Sequence, residues 1–286
     1  MKISGSTRLA CLLGSPVAHS SSPAMHNAAF KELNIDARYL AFEATRETVG
    51  VVTEGLIAMN ALGFNLTMPL KREIIPYLER ISEVSLLCDS VNTVKIEDGK
   101  LTGTTTDGIG FFDALLKEEH INMTEKSMVL LGAGGAASAI AAEGALNYLT
   151  KLSIFRRKNE KWADTEQFAA NLNDRTACEV SLFDIEDESM LKAELEKTDL
   201  LCNATSVGMG EDKRSPVKRE LLAGVKHVSD IIYHPEETTL LSDAKKEGCG
   251  TSNGKYMLLY QGAAAFKIWT GQDMPVDVVK EKIFRR

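Results

Sequence analysis

Met128-Val129-Leu130-Leu131-Gly132-Ala133-Gly134-Gly135-Ala136-Ala137-Ser138 begins as an apolar strand, breaks into a glycine-rich turn and continues as an alanine-rich helical stretch through Leu149. Each small residue answers a geometric demand. Gly132 permits the tight bend, Gly134 lets the backbone approach a pyrophosphate, and Ala137 keeps the helix close to its strand. The unpaired N–H groups at the helix start face negative charge. Lys151-Leu152-Ser153-Ile154-Phe155 reads as the next strand, which completes the context of a dinucleotide-binding βαβ unit. The competing reading is a tight strand-to-helix turn in some other α/β fold.

Outward from this turn, the 286 residues are 44% apolar and 26% charged, the balance of an ordinary soluble protein with room for two domains. A net charge of −7 and the lack of a basic patch interleaved with aromatics argue against a nucleic-acid partner. Cys11, Cys88, Cys178, Cys202 and Cys249 are scattered, odd in number and free of C-x-x-C pairing, which suits reduced thiols in the cytoplasm. No apolar run approaches the ~18 residues of a membrane span, and the first residues lack a secretory pattern. No metal site is expected either. His19 and His26 lack a third ligand, and His120, His227 and His234 are not spaced as ligands.

Strand-like and helix-like segments alternate along the chain, which predicts an α/β class with largely parallel sheets. Leu9 to Leu13 reads as a strand, Ser22 to about Leu33 as a helix with Ser22 as N-cap before Pro23, and Arg38 to Glu43 as a strand. Thr48 to Met59 reads as a helix, Gly63 to Thr67 as a strand, and Lys71 to Leu78 and Val84 to Cys88 as helical. Val91 to Ile96 and Lys100 to Gly103 flank Asp98-Gly99, a hairpin signal. Beyond the glycine turn, Leu200 to Ala204 and His227 to Ile232 read as buried strands, and Met257 to Thr270 and Val276 to Phe284 as helices. Two α/β units, the second carrying the glycine turn, predict a substrate domain followed by a cofactor domain, with a cleft between them.

The loops of the first unit collect hydroxyls, amides, one cation and one carboxylate. These are Gly14 to Pro23 with Ser20 and Ser22, Asn65 to Lys71 with Thr67, Asn92-Thr93, and Thr104 to Gly108 with Asp107. Such groups suit a small polyhydroxylated anion.

Here the residues carry a resemblance. Gly14-x-Pro16-x-x-His19-Ser20-x-Ser22-Pro23-x-x-His26-Asn27, Asn65-x-Thr67-x-Pro69-x-Lys71, Asn92-Thr93, Thr106-Asp107-Gly108 and the Gly132-to-Ala136 turn come in order. Asn203-x-Thr205-x-x-Gly208-Met209, Asp230-x-x-Tyr233-x-Pro235-x-x-Thr238-x-Leu240-Leu241 and Gly254-x-x-Met257-Leu258-x-x-Gln261 follow. Together these blocks span nearly the whole chain, which resembles the shikimate dehydrogenase family. Leu258 to Gly262 and Trp269-Thr270-Gly271 look closest to its quinate/shikimate dehydrogenase branch.

The resemblance implies a substrate-binding domain over 1–107, completed by C-terminal helices in 254–286, and a Rossmann-type domain over 108–253. It implies reversible reduction of 3-dehydroshikimate to shikimate in aromatic amino acid biosynthesis, with Lys71 and Asp107 as the proton-handling pair. Reducing a ketone builds negative charge on oxygen, so an ammonium in reach both stabilises that charge and donates a proton. A surface Lys71–Asp107 ion pair is the bland alternative. Ser20 and Ser22 match hydroxyls that hold the substrate carboxylate, with Tyr233 an aromatic nearby. Thr67, Asn92, Asp107 and Gln261 match groups that read ring hydroxyls. Gly132, Ala133, Gly134, Gly135, Ala136, Phe155, Arg156, Arg157, Lys158, Asn203, Ala204, Thr205, Met209, Tyr233, Gly254 and Met257 match cofactor positions.

The cofactor is read from Phe155-Arg156-Arg157-Lys158-Asn159. An acidic residue here would accept from the NAD ribose, whereas cations suit a 2′-phosphate. Charge therefore points to NADP, and branch resemblance to NAD. A quinate-catabolic enzyme, acting on quinate and 3-dehydroquinate, and a non-catalytic dinucleotide sensor are the rival functions. The intact Lys71 and Asp107 argue against the sensor. A monomer or homodimer is expected.

Overall fold

The computed structural model describes residues 3–284, which divide into two compact units. The boundaries fall between Thr106 and Asp107 and between Leu258 and Leu259.

The first unit runs β1 (Arg8–Gly14), α1 (Ser22–Glu32), β2 (Ala37–Glu43), α2 (Val49–Ala58), β3 (Gly63–Leu66), α3 (Leu70–Glu73), β4 (Arg80–Ile81), α4 (Glu83–Cys88), β5 (Thr93–Glu97) and β6 (Lys100–Thr104). Its six-stranded sheet has the order β2-β1-β3-β5-β6-β4. β1 lies parallel to β2 and β3 because α1 and α2 supply the crossovers, whereas β5 pairs antiparallel with β3 and β6. The Asp98-Gly99 turn has φ of 51° and 72°, as a two-residue type I′ hairpin requires. The helix expected over Lys71 to Leu78 is broken: α3 stops at Glu73 and a 3-10 turn covers Ile75–Tyr77. Pro76 cannot donate the N–H that would continue the α-helix.

The second unit runs α5 (Asp107–Glu118), β7 (Lys126–Leu131), α6 (Gly135–Asn147), β8 (Leu149–Arg156), α7 (Trp162–Arg175), β9 (Glu179–Asp184), α8 (Glu188–Leu195), β10 (Leu200–Asn203), β11 (His227–Asp230), α9 (Thr239–Lys246) and β12 (Gly250–Asn253). α10 (Lys255–Thr270) begins here and continues into the first unit, where α11 (Val276–Phe284) packs on α1. The sheet is parallel throughout, in the order β12-β11-β10-β7-β8-β9. Counted within the unit this is the doubly wound order 3-2-1-4-5-6, with its switch point between β7 and β10. Val129, Leu131, Phe155, Leu201 and Val228 form the core under that switch. All five cysteines are buried free thiols.

Candidate active site

In the first unit, the loops after β1 and β3 are packed on each other. A Cβ on Gly14 would lie 2.2 Å from Thr67 Cγ2 and 2.9 Å from the Met68 carbonyl, so only glycine fits. Ser15 N–H donates to Met68 O at 2.9 Å and Thr67 N–H to Leu13 O at 2.9 Å. Ser20 sits half-buried beyond this contact, its Oγ accepting from Ser22 N–H at 3.2 Å. Ser22 is not the N-cap expected from Pro23. It is the first helical residue, Ser21 takes the cap position without a side-chain bond, and the buried Ser22 hydroxyl bonds to that of Tyr39.

From Tyr39 the bonds continue inward. Tyr39 Oη donates to Asn65 Oδ1 at 2.7 Å, and Asn65 Nδ2 donates to Thr93 Oγ1 at 2.9 Å and to Asn92 O at 3.1 Å. Asn92 Oδ1 accepts from Thr93 Oγ1 at 2.8 Å and from Thr106 N–H at 2.8 Å. Ser22, Asn65, Asn92, Thr93 and Thr106 are all buried. Asp107, also buried, follows Thr106 directly and opens α5, where the helix dipole favours a carboxylate. Lys71 lies half-buried on α3, its carbonyl accepting from Val91 N–H at 2.8 Å. Gln261 is half-buried on α10, beside Gly262, whose missing Cβ makes room for Met25 and His26.

In the second unit, the glycine turn separates two kinds of glycine. Gly132 has φ of 105° and its Cβ would lie 2.9 Å from the Ala204 carbonyl, so backbone and packing both demand glycine. A Cβ on Gly134 would meet nothing within 4 Å. Nothing in the protein itself requires that glycine, which marks space open to a ligand beside the unpaired N–H groups of α6. Ala133 and Ala136 are half-buried, Gly135 is exposed, and Ala137 is packed as expected.

The basic turn after β8 also separates. Phe155 points into the core against Phe183, so only its carbonyl reaches the turn, accepting from Gly132 N–H at 2.8 Å. Arg156 binds the turn itself, donating to Lys161 O at 3.0 Å, Asn159 Oδ1 at 2.6 Å and Thr165 Oγ1. Arg157 and Lys158 are exposed, the latter 5.4 Å over the Trp162 ring.

The loops after β10 and β11 are tied to one buried carboxylate. Asp230 accepts from Asn203 Nδ2 at 3.1 Å, Ile232 N–H at 3.1 Å and Thr238 Oγ1 at 2.8 Å. Burial pushes its carboxyl above the ordinary range. Asn203 Oδ1 accepts from Thr205, and its backbone carbonyl accepts from Ile231 N–H at 3.0 Å. Gly254 donates to Ile232 O at 3.1 Å, and a Cβ there would strike the Ile231 carbonyl at 1.8 Å. Ala204 and Thr205 are half-buried and Met257 buried, while Met209 and Tyr233 are 57% and 51% exposed, so neither is core. Sequence reading assigned no role to Tyr39 or Asp230, and counted Asn65 and Thr106 only among the loop amides and hydroxyls. Their signal lay in the spacing of the Asn65, Thr106 and Asp230 blocks, but pairing them needs the fold. Among the described residues, no cluster of His, Cys, Asp or Glu could hold a metal, and no helix is long and apolar enough to cross a membrane.

Comparison with known proteins matches a shikimate dehydrogenase substrate binding domain over residues 12–94 and a shikimate 5′-dehydrogenase C-terminal domain over residues 256–284. The shikimate dehydrogenase (NADP(+)) of Listeria monocytogenes serotype 4b is 43% identical over 285 residues, covering 99% of this chain and 98% of that relative. A crystal structure of shikimate 5-dehydrogenase from Listeria monocytogenes, in complex with shikimate and NAD, superposes with a TM-score of 0.94 over 98% of both chains at 43% identity. A shikimate dehydrogenase solved in complex with NADP+ superposes with a TM-score of 0.89 at 41% identity, over 99% of this chain and 97% of the other.

Proposed function

The chain belongs to the shikimate dehydrogenase family, and we propose that it interconverts 3-dehydroshikimate and shikimate with NADP as cofactor. The observation that carries this reading is the 43% identity to a shikimate dehydrogenase (NADP(+)) across 99% of the chain, both units included.

The residues fit the dinucleotide: Gly134 leaves space for the pyrophosphate at the start of α6, and Arg157 and Lys158 stand exposed for a 2′-phosphate. Bound NADP supplies or takes a hydride at the ring carbon that carries the reacting oxygen. Lys71 donates the proton to that oxygen on reduction and recovers it on oxidation, with Asp107 orienting the amine and sharing the proton. Ser20 and Ser22 hold the substrate carboxylate, with Tyr233 beside it. Thr67, Asn92, Asp107 and Gln261 read the ring hydroxyls, and a site so built rejects analogues that leave those groups unpaired. Gly132, Ala133, Gly135 and Ala136 shape the pyrophosphate turn. Ala204, Thr205, Met209, Gly254 and Met257 form the nicotinamide side, where Asn203 acts through its bonds to Asp230 and Thr205. Buried reduced thiols suit a cytoplasmic enzyme, read here as a monomer or homodimer.

Initial rates with shikimate and with quinate, each against NADP and NAD, test the reading. Shikimate with NADP is expected to give the highest kcat/KM. No turnover of shikimate with either cofactor would overturn it, and a preference for quinate would move the enzyme to quinate catabolism.

A further inference from the structure

We infer that Tyr39 is a positioning residue of the substrate site, setting the Ser22 hydroxyl and the Asn65–Asn92 amides in one fixed arrangement. The inference rests on the shikimate reading above and adds a residue that touches no ligand in it.

Three observations carry it. The hydroxyl of Tyr39 joins two groups of side chains, bonding Ser22 on one side and Asn65 Oδ1 at 2.7 Å on the other. The residue itself is held from several directions. Asn27 of α1 accepts from Tyr39 N–H at 2.9 Å and donates to Tyr39 O at 2.7 Å, and the His26 ring stacks on the phenol at 4.4 Å and 17°. Trp269 of α10 closes another side at 5.9 Å. Finally, Tyr39 is wholly buried, and burial raises its hydroxyl well above the ordinary value, so it stays a neutral donor. A phenol used only for packing would need one partner. This one joins the carboxylate end of the proposed site to the hydroxyl-reading end, accepting from the Ser22 hydroxyl while its single hydrogen goes to Asn65.

Tyr39→Phe keeps the ring in its stack and removes only the junction. Expected is a roughly tenfold rise in KM for shikimate, with kcat changed less than about threefold and KM for NADP unchanged, beside a lowered thermal midpoint from the unpaired Asn65 Oδ1. Because Tyr39 acts through Ser22, the same change made in Ser22→Ala should raise KM much less than it does alone. The wild-type preference for shikimate over its methyl ester, which blocks the carboxylate, should shrink in Tyr39→Phe by a similar factor. Unchanged KM and ester preference, or effects of Tyr39→Phe and Ser22→Ala that simply multiply, overturn the inference. A lowered thermal midpoint with unaltered KM makes Tyr39 a core residue only. Wild-type protein inert toward shikimate would count against the functional reading instead.

Discussion

The two units, a substrate half and a cofactor half of the chain, are built from different materials. The substrate half is a buried relay of neutral side chains, running from Ser22 through Tyr39 and Asn65 to Asn92 and Thr106. The cofactor half is mostly backbone: a glycine turn, helix N–H groups, and loops gathered on the single carboxylate of Asp230. The contrast follows from the ligands. A small ring bearing hydroxyls and a carboxylate must be read group by group, so each side chain needs a fixed position. A pyrophosphate accepts from whatever N–H groups point at it, and backbone supplies those without side-chain choice. Substitutions in the first half should therefore change chemistry and specificity, and those in the second should change folding or cofactor choice.

The largest effect expected is in the substrate half. Lys71→Ala should lower turnover by about 10²–10⁴-fold, the usual contribution of a positioned acid or base, with NADP affinity and thermal midpoint near wild type. Steady-state kinetics and cofactor titration check it. Near-normal kcat would remove Lys71 from the proton transfer and leave the half-buried amine as packing.

In the cofactor half, Asp230→Ala leaves the Asn203 amide, the Ile232 N–H and the Thr238 hydroxyl without their acceptor. Each buried unpaired group costs about 1–3 kcal/mol, so urea unfolding should show a loss of at least about 3 kcal/mol. NADP binding should weaken with it, as two loops lose their common anchor. Asp230→Asn keeps an acceptor for two of the donors and should fall between. An Ala variant as stable as wild type would break the comparison, because the loops would then hold without the carboxylate.

Much of both halves was legible before the fold was known, for a physical reason. Gly132 is demanded by its left-handed backbone, Gly134 by the room a ligand needs, and Asp98-Gly99 by its two left-handed residues, so short sequence windows carry them. Interior alternation and apolar runs likewise located β1, β3, β7 and β11. What stayed hidden depends on contacts distant in sequence. Tyr39 reads as one more strand residue until its hydroxyl is seen against Asn65, and Asp230 as a polar strand end until Thr238 and Asn203 close on it. β12, Gly250–Asn253, carries no apolar run because it is an edge strand, and β4 is two residues long. Arg156 belonged to the basic signal by charge, yet its guanidinium folds the turn. Composition does not reveal which cation faces inward.

That division of the basic turn sharpens the cofactor prediction. With Arg156 committed internally, Arg157 and Lys158 are left for the 2′-phosphate. Lys158→Asp adds an acceptor for a ribose hydroxyl and a charge that repels phosphate. The ratio of kcat/KM for NADP to that for NAD should fall roughly ten- to a hundredfold, the worth of one charge-assisted hydrogen bond. Added salt should narrow the wild-type ratio, since the turn is exposed and screened. An unchanged ratio would make the turn a solvated surface and leave cofactor choice elsewhere.

The smallest effect expected is a pH dependence that begins beneath the substrate half. His26 is fully buried under Tyr39, and burial lowers its pKa from 6.5 to about 3. The unfolded chain therefore takes up a proton near pH 6.5 while the folded chain keeps the ring neutral until about pH 3. Between those values the unfolded state binds more protons, so stability is complete above pH 6.5 and falls by about 1.4 kcal/mol per pH unit as pH drops. His227 in the other unit, lowered to about 4 by burial, adds a second loss of the same sign. Asp230 and Glu143, both raised by burial, act oppositely, because there the folded state holds the proton first. Replacing the imidazole by His26→Phe keeps an aromatic ring beside Phe266 and Trp269 and removes the titration. Urea unfolding of wild type and variant from pH 7 to pH 4.5 should show the wild type losing about 1.4 kcal/mol more per unit below pH 6.5. Parallel pH profiles would mean that the imidazole gains its proton without unfolding, and that the aromatic bed under Tyr39 is more open to water than its burial implies.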